Sequence, residues 1–222
     1  WCIVNNAATL VFGETEWQTA EHIRHQLLVN VAGPLLVARA FVPLLRASRG
    51  RILNMTSFAA RSPVPTFSVY SATKSAMEVA SHGMRMEMNK FGVDVVLLNP
   101  GNHPGETPLC ARQEEYHLQM AAGMRPENEP VIGEYFRRCS EMICGLFRIP
   151  PLEKQSDANF YRVFHRALSD VEPKCYYVNA SWYECAKIRA FTIIPTRWAD
   201  HFRIAQLPLP KYEASAVNNN VD

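Results

Sequence analysis

The stretch T-S-F-A-A-R-S-P-V-P-T-F-S-V-Y-S-A-T-K carries three side chains that could move a proton together: Ser57, Tyr70 and Lys74. Tyr70 and Lys74 are four apart, so on a helix they share one face. An ammonium held beside a phenol favours the phenolate and draws down a pKa that is about 10 in free tyrosine. That predicts a general base or acid usable near neutral pH. Ser57 lies thirteen positions before Tyr70 and closes R-I-L-N-M-T, an apolar run that reads as a buried strand. A hydroxyl at a strand end, facing a helix that carries Tyr and Lys, suits carbonyl–alcohol redox chemistry.

The surrounding elements must hold these groups in place. Trp1 to Val4 is a short apolar strand closed by the loop Asn5-Asn6-Ala7-Ala8. From about Thr15 to Leu45 the pattern is helical, with Ile23, Leu27, Val31, Leu35 and Ala38 on one stripe, and Pro34 and Pro43 expected to bend or divide it. Arg51 to Thr56 is the next strand. A long helix is expected from about Ser68 to Lys90, stopped by Phe91-Gly92. Asp94 to Asn99 has a wholly apolar middle, the mark of a parallel strand covered on both faces. Strands alternating with crossovers of this length predict an open parallel α/β sheet. The proline-rich span from about 101 to 173 reads as helices and loops set beside the sheet to cover substrate. Lys174 to Val178 is expected as a last strand. Residues 1–210 are expected to form one domain, with 211–222 a disordered tail.

Composition narrows the function. Apolar residues make up 48% of the 222, so the chain is expected to be globular. A net charge of +2 gives no reason to expect nucleic acid as a partner. The six cysteines are scattered, with neither zinc spacing nor a compact disulfide framework, and the histidines show no ligand spacing, so no metal is expected. No stretch reads as a membrane span; Val31 to Leu45 comes closest, but contains Arg39 and two prolines. His103 reads as a loop histidine, either beside substrate or without a role. Asn54-Met55-Thr56 and Asn179-Ala180-Ser181 fit a glycosylation pattern, the first inside a predicted buried strand. Met77, Met84 and Met88 read as core or as a helix-packing dimer face.

Taken together these residues resemble the short-chain dehydrogenase/reductase family along nearly the whole chain. Asn5-Asn6-Ala7-Ala8 resembles the family's N-N-A-G loop, with Ala8 where Gly is usual. Asn30, in L-V-N-V-A-G, matches the family's helix asparagine. Ser57, Tyr70 and Lys74 match its serine and Y-x-x-x-K pair, Asn99-Pro100-Gly101 its P-G turn, and Thr107 the threonine that follows. Pro100-Gly101-Asn102, Pro173-Lys174 with Tyr176, and Ile194-Pro195 with Asp200 resemble the subgroup of D-β-hydroxybutyrate dehydrogenase, retinol dehydrogenases and the type 2 17β-hydroxysteroid dehydrogenase, leaning towards the first.

The resemblance implies an oxidoreductase using NAD or NADP on a small-molecule alcohol or ketone. It implies Asn30, Ser57, Tyr70 and Lys74 as catalytic residues. Tyr70 would be the proton acceptor or donor, Ser57 would orient the substrate oxygen, Lys74 would lower the pKa of Tyr70 and grip the nicotinamide ribose, and Asn30 would hold a water linking Lys74 to solvent. Asn5, Ala7, Tyr70, Lys74, Pro100, Gly101 and Thr107 would line the cofactor. The helix carrying Tyr70 would form a homo-oligomer contact. The subgroup implies association with a mitochondrial or endoplasmic-reticulum membrane. Trp182 to Phe202, mixing aromatics with Lys187, Arg189 and Arg197, suits a membrane surface or a lid over the substrate pocket.

One departure stands out. No G-x-G-x-x-G occurs in the sequence, and the residue that tells NAD from NADP has no counterpart. The expected fold is therefore α/β: a partial Rossmann-like, doubly wound parallel sheet lacking its first three strands, with a helical substrate-covering region. The alternative is a non-catalytic truncated module that dimerises or binds an apolar ligand.

Overall fold

The computed structural model describes residues 1–103, 106–146 and 157–213. Four strands run parallel in the order β1-β2-β3-β4: β1 Cys2–Asn5, β2 Arg51–Met55, β3 Asp94–Asn99 and β4 Tyr176–Val178. Each strand sits beside its chain neighbour, with Ile52 opposite Val95, Leu53 opposite Val96 and Met55 opposite Leu98. Side chains alternate across the sheet, so one face buries Ile52 and Val95, the other Leu53, Met55, Val96 and Leu98.

Both faces are covered, as the continuous apolar runs of β2 and β3 require. On one side lie α2 (Gly33–Ser48) and α3 (Ser68–Asn89), through Ala38, Leu45, Met84 and Met88. On the other lies α6 (Ala158–Ser169), through Phe160, Val163, Phe164 and Ala167. The methionines expected as core or dimer face are core: Met77 is buried, and Met84 and Met88 pack on the sheet. Arg49 takes the left-handed conformation at the end of α2, and Gly92, at φ +66°, turns the chain from α3 into β3.

The first helical region corrects the sequence reading. It begins as α1 (Ala20–Leu27), passes through a π-turn (Leu28–Ala32) and continues as α2, a continuous helix of 29 residues from Ala20 to Ser48. Pro34 falls just after the π-turn, in the first turn of α2, and Pro43 sits inside α2; neither ends the helix. By length and composition this helix could cross a membrane, contrary to the expectation above. The expected apolar stripe is only partly the buried one: Ala38 is buried and Ile23, Val31 and Leu35 are half-buried. Leu27 is exposed, as are Leu28, Leu36 and Phe41, while His22, Gln26 and Asn30 are buried.

The physical reason lies in the segment Thr9–Gly13, which is outside the sheet and has no strand ladder to satisfy its backbone. Side chains do so instead. Asn30 accepts from Thr9 N and donates to Thr9 O, both at 2.8 Å. Gln26 accepts from Val11 N, and Gln18 donates to Gly13 O. A buried backbone polar group left unpaired is costly, so the polar stripe turns inward.

The covering region contributes α4 (Gln113–Ala122) and α5 (Glu129–Leu146). It is fastened to the same segment: Gln113 donates to Leu10 O at 2.9 Å and accepts from Phe12 N at 3.0 Å, and His117 Nε2 meets Phe12 O at 2.9 Å. Val11, Trp17, Tyr116, Met120 and Phe136 seal this joint. Two further helices, α7 (Trp182–Ala190) and α8 (Thr196–Ile204), follow β4. Pro104, Pro150 and Pro151, and the expected disordered tail from residue 214 onward, lie outside the described residues.

Candidate active site

β2 ends at Met55, and Ser57 caps a single 3₁₀ turn, Phe58–Ala60, by accepting from Ala59 N at 3.2 Å. That bond occupies a serine lone pair and leaves the hydroxyl proton to donate elsewhere. Its side-chain partner is Tyr70, from the first turn of α3. Lys74, one turn further along α3, donates from Nζ to Met55 O at 3.1 Å. Serine, tyrosine and lysine thus converge at the carboxyl end of β2, the end of a parallel sheet where ligands bind.

The electrostatics differ from the simple expectation. Tyr70 is 5% exposed and packs among Leu10, Phe12, Cys110 and Ile143. Burial pushes its pKa up to about 12, and the contact with Ser57 works against that rise. Lys74 is 4% exposed, and burial pulls its pKa down to about 8. Its ammonium stands 5.7 Å from the centre of the Tyr70 ring. The expected lowering of the Tyr70 pKa by Lys74 is therefore absent in the free chain, because desolvation of the phenol outweighs its neighbours.

Asn30 falls in the π-turn, buried, with both amide protons committed: one to Thr9 O, the other to Thr73 Oγ1 at 3.0 Å. Its side chain ties the Thr9 segment to α3 beside Lys74. Asn5, at the end of β1, donates to Asn54 Oδ1 at 2.8 Å, and Asn54 donates to Ser81 Oγ of α3 at 2.8 Å. The Asn5 side chain thus belongs to a sheet-to-helix chain, and Ala7 lies exposed in the loop beyond it. Gly101, at φ +89°, follows β3; a Cβ there would stand 2.5 Å from Asn179 O. Pro100 O accepts from Asn179 Nδ2 at 2.9 Å. Thr107 caps the turn Pro108–Cys110, whose Cys110 lies against Tyr70.

A cavity of about 400 Å³ opens alongside, lined by Phe58, Gly101, His103, Asn179 and Glu184. Ser57, Tyr70 and Lys74 are not among its lining residues. His103 is not idle: Nε2 meets Pro100 O at 2.9 Å and Nδ1 meets Glu106 at 3.0 Å, so it staples the loop after β3. Asn179 is 7% exposed and bonded to Asp157 and Pro100, which argues against glycosylation at its sequon.

Sequence reasoning missed Glu78 and Thr56. Thr56 Oγ1 donates to Glu78 Oε1 at 2.8 Å, and Glu78 Oε2 accepts from Arg61 Nε at 2.7 Å. Glu78 is four residues past Lys74, so the helical spacing that linked Tyr70 to Lys74 could have found it.

The model of the short chain dehydrogenase family matches residues 1–115, so the chain belongs to that family. Among curated relatives, rat mitochondrial D-beta-hydroxybutyrate dehydrogenase is 38% identical over 109 residues, covering 49% of this chain and 32% of the relative. Mouse estradiol 17-beta-dehydrogenase 2 is 30% identical over 185 residues, covering 80% of this chain and 46% of the relative. The chain thus spans less than half the length of either. Among solved structures, a short-chain dehydrogenase from Streptomyces avermitilis is 35% identical with a TM-score of 0.44, covering 46% of this chain and 39% of that one.

Proposed function

We propose that this chain is the catalytic part of an oxidoreductase that interconverts a primary or secondary alcohol and its carbonyl with NAD or NADP. The observation that carries the reading is the convergence of Ser57, Tyr70 and Lys74 at the carboxyl end of β2 in a member of this family. A 3-hydroxybutyrate-like substrate is favoured by the hydroxybutyrate dehydrogenase relatives, with steroid or retinol substrates next.

The residues fit a nicotinamide cofactor on one point of structure. Lys74 is buried, and among the described residues its ammonium has one hydrogen-bond acceptor, Met55 O, so two of its three N–H donors remain for ribose hydroxyls. Gly101 leaves the carboxyl end of β3 without a side chain. Ala7, Pro100 and Thr107 flank the same end of the sheet, and Asn5 braces β1 there. Bound NAD or NADP would accept or return the hydride.

The protein's own groups do the rest. Tyr70 takes the hydroxyl proton in oxidation and returns it in reduction. Ser57 donates a hydrogen bond to the substrate oxygen and fixes its position. Lys74, charged below its pKa of about 8, supplies the positive charge near the phenolate. Asn30 has no amide proton left, so a water relaying protons to Lys74 would meet its carbonyl groups. The exposed Val79 and Met86 of α3 suit a contact between copies of this chain. Trp182, Trp198 and Phe202, exposed near Lys187 and Arg197, suit a membrane surface, in keeping with mitochondrial or endoplasmic-reticulum association.

The test is turnover by the natural full-length protein, followed by reduced-nicotinamide absorbance with 3-hydroxybutyrate, estradiol and retinol, each with NAD and NADP. Tyr70→Phe should abolish turnover while leaving nucleotide affinity within a few-fold; undiminished turnover would end the reading.

One observation favours a second reading. Leu109, Cys110, Met142 and Ile143 close over Tyr70, and the sequence holds no glycine-rich phosphate loop. A non-catalytic module that dimerises or holds an apolar ligand would look the same. Saturable nucleotide binding by residues 1–222 would exclude it.

A further inference from the structure

We infer that Glu78 is a positioning residue that sets Ser57 against Tyr70 by holding both flanks of the turn that carries the serine. The inference rests on the dehydrogenase reading above and names a residue through which that site is held.

The turn is tied to α3 at four points. Met55 O accepts from Lys74, Thr56 Oγ1 donates to Glu78 Oε1 at 2.8 Å, Ala60 O accepts from Ser75 Oγ at 2.5 Å, and Arg61 Nε donates to Glu78 Oε2 at 2.7 Å. Ser57 lies inside this span; its bonds from Ala59 N and Ala60 N are internal to the turn, and its tie to α3 is the Tyr70 contact itself. Apart from that contact, its place relative to α3 is set by the residues on either side. Glu78 serves both sides at once, one carboxylate oxygen for each, whereas an amide side chain would offer an acceptor at only one of those two positions.

Burial makes these ties strong. The Glu78 side chain is 9% exposed and Thr56 is 3% exposed. A charge taken out of water is tolerated only with close partners, so the carboxylate constrains whatever donates to it. Arg61 is itself held, its guanidinium 4.2 Å over the ring of Tyr176, at the start of β4. Glu78 thereby joins the serine turn, the catalytic helix and the last strand. Catalytic geometry is sensitive to displacements of about 1 Å, so a loosened turn should cost rate rather than nucleotide affinity.

The experiment uses Thr56→Val, which removes one donor and leaves the Arg61 ion pair, and Glu78→Gln, which can accept from only one of the two donors. In the full-length protein each should lower kcat about tenfold with the nucleotide KM changed less than twofold. On a Ser57→Ala background neither should cost more, because the group being positioned is gone. Amide exchange gives a readout independent of turnover: Ala59 N–H should lose protection in Thr56→Val while Leu53 and Val96 keep theirs. Full additivity with Ser57→Ala, unchanged kcat, or unchanged Ala59 protection would overturn the proposal. Turnover surviving in Tyr70→Phe would instead overturn the dehydrogenase reading, so the two failures are told apart.

Discussion

The ammonium of Lys74 stands 5.7 Å from the centre of the Tyr70 ring and donates a hydrogen bond to the carbonyl of Met55. The pair shares a helix face, but in the free chain burial governs both groups: it lifts the phenol to about 12 and lowers the ammonium to about 8. Charge near the phenol has to compete with desolvation there, not with water.

Lys74 should therefore leave a signature in the pH dependence of folding. Its folded pKa, about 8, lies below the ordinary 10.5. Between those values the unfolded chain binds the extra proton, so stability rises with pH through that window and is lost again as pH falls through 8. The difference of about 2.5 units corresponds to ~3 kcal/mol. Comparing urea unfolding of the wild type with Lys74→Met at pH 7 and pH 10.5 should show the wild type gaining that amount relative to the variant. A flat difference would mean that Lys74 is not desolvated.

Ser57→Ala should raise the pKa seen in the pH profile of alcohol oxidation, because the serine contact is what holds the phenol down. Turnover should fall on the order of 10²-fold at neutral pH and recover partly as pH rises. An unshifted profile would separate Ser57 from Tyr70.

Gly101→Ala should destabilise the protein by about 1–3 kcal/mol in chemical denaturation. Its φ of +89° disfavours any side chain, and the new Cβ would meet Asn179 O at 2.5 Å. Stability unchanged within about 0.5 kcal/mol would show that the loop after β3 relaxes freely.

Gln113→Ala should loosen the covering region. It strips the partners from Leu10 O and Phe12 N, two buried backbone groups, at a cost of about 1–3 kcal/mol each. Hydrogen exchange should rise at Phe12 and along α4, with β2 and β3 protected as before. Uniform loss of protection would make α4 part of the global core instead.

Much of the sheet was legible from the chain alone. β3 falls on Asp94–Asn99 and α3 on Ser68–Asn89, because wholly apolar runs and a long helical period with a glycine stop leave few alternatives. The convergence of Ser57, Tyr70 and Lys74 was legible too, since a strand end and one helix turn are local features. The stripe of α1 and α2 was legible only in part: Ala38 is buried as expected, but Leu27 is exposed, because hydrophobic periodicity says nothing about a segment outside the sheet whose backbone needs Gln26 and Asn30 more than it needs Leu27.

Residue types and short spacings, then, determined that a serine, a phenol and an amine would share one end of a parallel sheet. Tertiary structure alone decided their charge states and their neighbours. Burial moved both pKa values, that of Tyr70 under Cys110 and Ile143, and contacts across 22 residues gave Thr56 its partner in Glu78. Desolvation and long-range hydrogen bonds depend on what packs against a group, and that is known only once the chain has closed around it.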